Sequence, residues 1–266
     1  MSLALFRATF KSNWIIFIIF FAILLMYMAS ILGMYDPESI DTMQQLIETM
    51  PQGMMDAFGY SGSPTNLISF IALYYYGFIA LMFPMIYCII LANRLVAAHV
   101  DRGSMAYLLA TPNSRIKIIA TQAFYLIFSV TLLLALNTAA GIGLSEIMFP
   151  GDLDLANFIR LNLVTILMTL AISSICFFFS CLFNEAKYSL AFGAGIPLIF
   201  FIINMLRNIE GSPEWLKYLT LYSLFDASAI VTGEHPVTLA ILNFAAMAII
   251  LYSAGILIFS RRNLYL

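Results

Sequence analysis

Residues 14–34 read WIIFIIFFAILLMYMASILGM, an uninterrupted apolar run without a single charged side chain. An α-helix rises about 1.5 Å per residue, so a helix over this run is about as long as the roughly 30 Å hydrocarbon core of a bilayer is thick. The run shows no alternation of apolar and polar residues, which strands of a membrane barrel would show. It therefore predicts a helix that crosses the membrane.

Five further apolar runs extend this prediction to six membrane spans. Only 10% of the 266 residues are charged and 62% are hydrophobic, whereas soluble domains carry about 25% charged residues. In lipid every backbone N–H and C=O must be paired within the protein. We therefore expect an all-α polytopic membrane protein that forms one transmembrane domain over residues 1–266. The spans are predicted at residues 14–34, 67–91, 118–144, 161–183, 188–206 and 237–259.

The basic residues predict the orientation of these spans. Cytoplasmic loops are enriched in Lys and Arg. If the N-terminus is inside, three of the twelve basic residues lie outside, namely Arg160, Arg207 and Lys217. Both termini are therefore predicted to be cytoplasmic. The residues on the inner side are Arg7, Lys11, Arg94, Arg102, Arg115, Lys117, Lys187, Arg261 and Arg262.

Two of the predicted outer segments are long enough to fold. The stretch from Trp215 to Val231 is apolar, but Lys217 and Asp226 interrupt it, and the uncharged part is too short to span. It predicts an apolar re-entrant hairpin on the outer side before the last span. The acidic segment 35–66 is expected to contain a short amphipathic helix near Ile40–Met50.

The net charge, the cysteines and the absence of a P-loop motif argue against several classes of function. The net charge of −2 argues against nucleic acid as a partner, because nucleic-acid-binding proteins present basic surfaces. The three cysteines lie inside apolar runs and have neither a disulfide pattern nor metal-ligand spacing. No G-x-x-x-x-G-K-[ST] motif occurs, so the chain is not expected to bind ATP through a P-loop.

Three features inside the predicted spans have structural interpretations. Tyr74–Tyr76 is interpreted as part of an aromatic belt at the membrane surface. Phe177–Phe179 is expected to face lipid. Ala191, Gly193 and Gly195 are small enough to let helices approach closely. They could form a dimer interface or serve packing within the chain, and we expect packing.

The predicted inner loop between the second and third spans reads DRGSMAYLLATPNSR over residues 101–115. Gly103 permits a turn, and Ser104 can accept hydrogen bonds from the first backbone N–H groups of a helix. Pro112 disfavours helix at the residue before it and ends the element. The loop thus predicts a helix of about two turns at the inner membrane surface.

This short helix has an apolar stripe. Met105, Leu108 and Leu109 share one face at spacings i, i+3 and i+4. Such a stripe can pack on lipid or on the chain itself, or it can insert into a groove of a soluble partner. Periodicity alone leaves both interpretations open.

The same stretch resembles the cytoplasmic loop of ABC-2 type permeases, the membrane subunits of a class of ABC transporters. The shared pattern is an acidic residue, glycine, a hydroxyl residue, paired leucines, proline and Ser-Arg. The sequence departs from the family pattern at His99 and Gln122, where Glu and Lys are frequent, and this leaves the substrate open. The matching positions are Asp101, Gly103, Ser104, Leu108, Leu109, Pro112, Ser114 and Arg115.

The resemblance implies a permease subunit, most simply an exporter, in a bacterial-type plasma membrane. It implies pairing with a second copy or a paralogue and docking on a separate ABC ATPase, which would bind ATP and Mg. The chain itself would have no catalytic residue, metal or cofactor. Glu185 and Lys187, between the fourth and fifth spans, would form a second contact with the ATPase. The first contact would comprise Asp101, Arg102, Gly103, Ser104, Met105, Leu108, Leu109, Pro112, Ser114 and Arg115.

Other functions are compatible with parts of the sequence. A channel is not excluded by any residue. An ion-coupled carrier needs ionisable groups near the membrane centre, where the predicted spans offer only uncharged Asn137 and Asn204. Residues 59–62, GYSG, match the motif around the serine of rhomboid-type proteases, with His235 as the base available on the same side. A turn that leads into the second span explains these glycines more simply.

Overall fold

The computed structural model describes residues 2–36, 51–60, 62, 64–109, 113–233 and 237–262, with the backbone alone at residues 52, 108 and 109. Within these residues there is no β-strand, and six helices are long and apolar enough to cross a membrane. The all-α polytopic prediction is confirmed. Spans one to six are Leu3–Met34, Leu67–Asp101, Arg115–Met148, Leu155–Leu182, Ala186–Asn208 and Val237–Arg261.

Shorter helical elements lie between the spans. The predicted helix near Ile40–Met50 lies outside the described residues. The described residues that follow it contain the short helix Gln52–Ala57. Span two is built from several pieces, and one of them is a π-helix. The short elements are Gln52–Ala57, Met105–Leu109, the 3-10 turns Glu214–Tyr218 and Leu221–Leu224, and Ala227–Thr232. The pieces of span two are Leu67–Tyr74, the π-helix Tyr75–Ile79, Ala80–Leu95 and Ala97–Asp101.

Several helices begin before the apolar runs that predicted them. The Ser114 hydroxyl accepts from the Lys117 backbone N–H at 3.2 Å, and the Asp154 carboxylate accepts from that of Asn157 at 3.1 Å. These N-caps pair backbone groups that the first helical turn leaves without partners. Hydropathy marks only the apolar part of a helix, whereas the polar caps determine where it starts.

The N-terminal segment belongs to span one. Span one runs without a break from Leu3, so the residues before 14 are not a separate element. The Ser2 backbone N–H donates to Thr121 Oγ1 of span three at 2.9 Å. Phe6 packs edge-on against Tyr125 and Phe128 of the same span. These contacts attach the start of the chain to the start of span three.

Span four lies at the centre of the bundle and packs against spans two, three, five and six. Its small polar residues make this possible. Thr165 and Thr169 hydroxyls each donate at 2.8 Å to the carbonyl four residues earlier, and Ser174 donates at 2.6 Å to Ala171. Hydroxyls satisfied within their own helix leave a smooth surface that neighbouring helices can approach closely.

Phe177 does not face lipid, so that interpretation was wrong for this residue. Its side chain is fully buried, and its ring lies against Gly255 and Tyr252 of span six. Gly193 was expected to serve internal packing, and its carbonyl accepts from the Cys176 thiol at 3.1 Å. A Cβ added at Gly195 would have no described atom within 4 Å, so Gly195 does not serve close packing within the described chain.

The tyrosines of span two do not form an aromatic belt. Tyr75 and Tyr76 are fully buried. The Tyr76 hydroxyl donates to Asn162 Oδ1 at 2.7 Å, and that of Tyr75 donates to the Leu24 carbonyl at 3.4 Å. A polar contact between helices satisfies groups that lipid cannot. The three-tyrosine run therefore connects spans one, two and four.

The π-helix Tyr75–Ile79 is covered by the chain segment that precedes span two. A Cβ at Gly77 would lie 3.0 Å from the Phe58 carbonyl oxygen and 3.5 Å from that of Gly59. Glycine is required here because the two backbones approach each other so closely. The π-helix thus occurs where another part of the chain shields the irregular backbone from lipid.

The predicted apolar hairpin folds back onto the bundle. Thr220 Oγ1 donates to the Phe200 carbonyl of span five at 2.8 Å. Tyr222 is buried, with its hydroxyl 3.6 Å from Met85 Sδ of span two. Ile230 is fully buried as well. The hairpin enters the bundle without crossing it, because its apolar side chains find partners between spans two and five.

Alanine substitutions at two glycines of span three should change the stability of the protein in opposite directions. An alanine Cβ at Gly141 would lie 3.0 Å from Phe158 Cζ and 3.3 Å from Met28 Cε, whereas Gly143 has nothing within 4 Å. Gly143→Ala should raise stability by about 0.5–1 kcal/mol, because alanine loses less backbone entropy in a helix. Gly141→Ala should lower stability by about 1–2 kcal/mol, because overpacking exceeds that gain. Thermal unfolding in detergent measures both, and equal shifts would contradict the tight packing of spans one, three and four.

Candidate partner-coupling site

The 101–115 loop begins with a tight turn after the last piece of span two. Gly103 has a φ of +68°, which side-chain-bearing residues rarely adopt. The Ser104 hydroxyl donates to the His99 carbonyl at 3.1 Å and lies 2.9 Å from His99 Nδ1. Both bonds form together when Nδ1 carries the proton and donates to Ser104 Oγ. Ser104 therefore ties the turn to the end of span two.

The short helix Met105–Leu109 is where sequence analysis expected it. Met105 is completely buried and packs in the core of the bundle. Packing on the chain itself, one of the two interpretations left open, therefore applies to Met105. Tyr107 is 81% exposed and projects away from the bundle. The side chains of Leu108 and Leu109, and Pro112, lie outside the described residues.

Arg115 joins the end of the loop to the end of span six. Ser114 caps span three, so Arg115 sits in the first helical turn with its side chain exposed. Its Nη1 donates to the Arg262 backbone carbonyl at 3.1 Å. The residue that immediately follows span six thus provides an anchor for the loop.

Arg262 extends this connection to span four. Its Nη1 donates to the Cys181 carbonyl at 2.6 Å, and its guanidinium lies 5.6 Å from the Phe259 ring centre. Cys181 is in the last turn of span four, where carbonyls have no partner within the helix. A cation at a helix C-terminus also interacts favourably with the helix dipole. Arg262 therefore satisfies the end of span four while its own carbonyl receives Arg115.

Arg262 is more deeply buried than Arg261, the residue before it. Its Nε and Nη2 are buried and have no hydrogen-bond partner within the part of the chain that the structure describes. This burial lowers the pKa of Arg262 from its ordinary value. Arg261 is exposed. Of the two consecutive arginines, Arg262 is the structural one, and Arg261 is available to solvent or lipid.

The second predicted contact, at the turn between spans four and five, lies at the same end of the bundle. Glu185 and Lys187 are exposed. The Ser180 and Ser189 hydroxyls, 3.0 Å apart, hold the two helices together behind this turn. The Cys181 carbonyl accepts a hydrogen bond from Arg262, and the Arg262 carbonyl accepts one from Arg115. The structure therefore places the 101–115 loop and the turn with Glu185 and Lys187 at the same end of the bundle.

Several charged residues of this end are exposed at the surface. Asp101 and Arg102 are exposed, as are Arg115, Glu185 and Lys187. Within the described part of the chain the only ion pair joins Lys217 to Glu214, which is elsewhere. That part also contains no group of His, Cys, Asp or Glu able to hold a metal ion. The surface offers charges and an exposed tyrosine for docking.

Sequence reasoning missed the roles of Arg262 and Cys181. Arg262 was counted only as an inner charge, and Cys181 was interpreted as a small apolar residue. A basic pair directly after an apolar run is a signal that could have identified Arg262. Cys181 contributes its backbone carbonyl, and no side-chain pattern can reveal such a contact.

A comparison with protein families identifies the kind of protein to which this bundle belongs. A family described as ABC-2 family transporter protein matches residues 6–264, which is nearly the whole chain. The chain belongs to this family. No curated protein matches it in a comparison of full sequences.

Membership makes this chain a membrane domain of an ABC transporter. Permeases of this family are not themselves catalytic, and they work with an ABC ATPase in a lipid bilayer. The six spans make the permease a multi-pass membrane protein.

The hydrogen bond from Arg262 to the Cys181 backbone carbonyl should help to protect the Cys181 thiol from labelling reagents. Cys181 and Cys88 are both fully buried. Arg262→Met should raise the labelling rate of Cys181 by about tenfold, because losing a charged hydrogen bond favours local opening. Arg261→Met is the matched control and should leave both thiols protected. Mass-resolved labelling with a small thiol reagent measures this, and an unchanged Cys181 in Arg262→Met would show that the bond does not hold the helix end.

Proposed function

We propose that this permease subunit exports its substrate by docking on a separate ABC ATPase through the 101–115 loop. The observation that carries the proposal is the position of this loop. Its short helix presents an exposed Tyr107, and its end is hydrogen-bonded through Arg262 to span four. Family membership supports the partner. The ATPase would bind ATP and Mg, and this chain would bind neither.

The hydrogen bonds suggest how motion would enter the bundle. A displacement of the short helix would pull on span two through the Ser104–His99 contacts and on span three through Arg115. Arg262 would pass the second pull to the C-terminal end of span four. Since span four contacts four other spans, its movement would rearrange most of the bundle. Glu185 and Lys187 would add a smaller contact on the same ATPase.

A second permease copy or paralogue is part of the proposal. The faces of spans one, five and six are largely unburied within one chain, and they present large apolar side chains. Span one contributes Trp14, Ile15, Ile18 and Ile19, and span five contributes Leu198, Ile199 and Ile202.

The proposed orientation places the loop end in the cytoplasm of a bacterial-type cell. Most basic residues then lie inside, as the positive-inside rule requires. Arg115 and Arg262 share this end through their hydrogen bond, and Arg261 directly precedes Arg262. An ATPase dependent on cellular ATP must also meet the permease there. The plasma membrane is the compartment that fits an exporter of this class.

Docking predicts a difference between two equally exposed tyrosines. Tyr107 is 81% exposed on the loop helix and Tyr218 is 80% exposed in the hairpin at the opposite end. Tyr107→Ala should lower permease-stimulated ATPase activity by about tenfold, the effect of removing an interface anchor. Tyr218→Ala should leave it unchanged, and neither should shift the unfolding temperature.

A stronger variant tests the same surface. Leu108→Asp with Leu109→Asp should abolish co-purification of the ATPase, because the predicted stripe would become charged. Unchanged assembly and ATPase activity in both this variant and Tyr107→Ala would remove the docking proposal. The partner to use is an ABC ATPase that co-purifies with the unaltered permease.

Orientation predicts sidedness of labelling. The native thiols Cys88, Cys176 and Cys181 are buried, so single cysteines can be introduced without removing them. In intact cells a membrane-impermeant maleimide should label Tyr218→Cys but label Tyr107→Cys only after permeabilisation. The reverse pattern would place the loop on the outer surface and contradict ATPase docking.

A further inference from the structure

A polar cavity of about 210 Å³ lies at the end of the bundle opposite the coupling loop. It is bounded by span two, the last turns of span five and the hairpin. Its polar lining includes Tyr76, Asn204, Arg207, Asn208 and Asp226. A water needs about 10–15 Å³ measured in this way, so the cavity has room for a group of ten or more heavy atoms. It takes no part in the proposed docking.

The two charges of this cavity are not paired with each other. Arg207 and Asp226 interact electrostatically, yet the described chain has no ion pair within 4.0 Å apart from Lys217–Glu214. Asp226 Oδ1 accepts from the Ala229 backbone N–H at 3.0 Å and caps a short helix. Arg207 Nη2 makes only a long contact of 3.5 Å with Asn208 Oδ1. A cation and an anion therefore line one cavity with capacity left for a ligand.

Asn204 adds an unsatisfied group. It is only 6% exposed, and its buried Oδ1 has no hydrogen-bond partner among the described residues. Leaving such an acceptor unpaired in the interior is destabilising, because it has lost its hydrogen bonds to water. A ligand that brings an N–H donor would remove this penalty. The cavity thus combines an anion-binding guanidinium with two acceptors, Asn204 Oδ1 and the Asp226 carboxylate.

An apolar cleft of about 420 Å³ lies beside the polar cavity. The same short segment contributes to both, because Gly59 lines the polar cavity while Phe58 and Tyr60 line the cleft. The other walls of the cleft come from spans one and two, including Ile31 and Phe70. A polar site and an apolar site side by side at a membrane surface match an amphipathic molecule.

We propose that this cavity binds the headgroup of a zwitterionic phospholipid with a primary ammonium, of the phosphatidylethanolamine type. The phosphate binds Arg207, whose planar guanidinium suits phosphate oxygens, and the Asn208 amide. The ammonium donates to Asp226 and to Asn204 Oδ1. The acyl chains follow the cleft lined by Phe58 and Tyr60. Binding requires neither the ATPase nor a direction of transport, so it stands apart from the proposed function.

A headgroup series on the purified full-length chain in detergent tests the assignment. Phosphatidylethanolamine, phosphatidylcholine and phosphatidylglycerol with identical acyl chains are titrated, and bound lipid is counted by native mass spectrometry. We expect phosphatidylethanolamine to bind about tenfold more tightly than the other two, the effect of roughly one charged hydrogen bond. Phosphatidylcholine lacks the N–H donors, and phosphatidylglycerol lacks the cation.

Matched variants separate the two charges. Arg207→Gln should weaken all three lipids, because they share the phosphate. Asp226→Asn should remove only the preference for phosphatidylethanolamine, and it keeps the helix cap because asparagine caps equally well. The controls are Arg160→Gln and Asp152→Asn, which change exposed residues and should alter nothing. Equal affinities for the three lipids, a preference for phosphatidylglycerol, or equal losses in Arg207→Gln and Arg160→Gln would overturn the proposal.

Asn204→Leu distinguishes a ligand group from a structural one. Replacing an unpaired buried oxygen by an apolar group of similar size should leave the unfolding temperature unchanged or raise it. Phosphatidylethanolamine binding should fall about fivefold in the same variant. Asn243→Leu is the control, since exposed Asn243 bonds only its own helix at the Leu239 carbonyl. A large loss of stability with lipid binding preserved would make Asn204 structural and remove it from the site.

Discussion

Hydrocarbon offers no hydrogen bonds, so every backbone N–H and C=O inside the membrane must find its partner within the chain. This constraint accounts for the six long helices and also for where their regularity breaks. The π-helix Tyr75–Ile79 occurs beneath the backbone of Phe58 and Gly59, which shields it from lipid. The hydroxyls of Thr165 and Thr169 bond their own helix. Irregularity and polarity are thus confined to places that other parts of the chain cover.

The same constraint produces the candidate coupling site. A helix that ends at the membrane surface leaves its last carbonyls without partners, and span four meets this need with Arg262 from the end of span six. Arg262 then offers its own carbonyl to Arg115 at the start of span three. Satisfying one helix end therefore links three spans at the point where the 101–115 loop ends and span three begins. A docking loop needs such an anchorage, because a loop held only by lipid would absorb a partner's motion.

The sequence predicted the number of spans, the short loop helix and the folded-back hairpin, because each depends on a local pattern of apolar residues. It could not predict burial. Lipid and core are both apolar, so hydropathy cannot tell that Phe177 is enclosed while Ile199 is exposed. It placed Tyr76 in an aromatic belt because the partner, Asn162, lies far away in sequence and becomes a neighbour only through packing. Helix starts were missed at Ser114 and Asp154, where polar caps lie beyond the apolar runs.

Span two connects the two ends that this structure distinguishes. It begins beside the polar cavity, to which it contributes Tyr76 and Gly77, and it ends at the His99–Ser104 turn of the coupling loop. The hydrogen-bond pattern of span two changes once along its length. In the π-helix Tyr75–Ile79 the backbone bonds join residues five apart, whereas in the α-helical pieces they join residues four apart. Gly77 keeps this piece in contact with Phe58 and Gly59, which also border the cavity and the cleft. Span two therefore joins the coupling loop to the cavity wall, and its π-helix is the piece that packs against the segment between the cavity and the cleft.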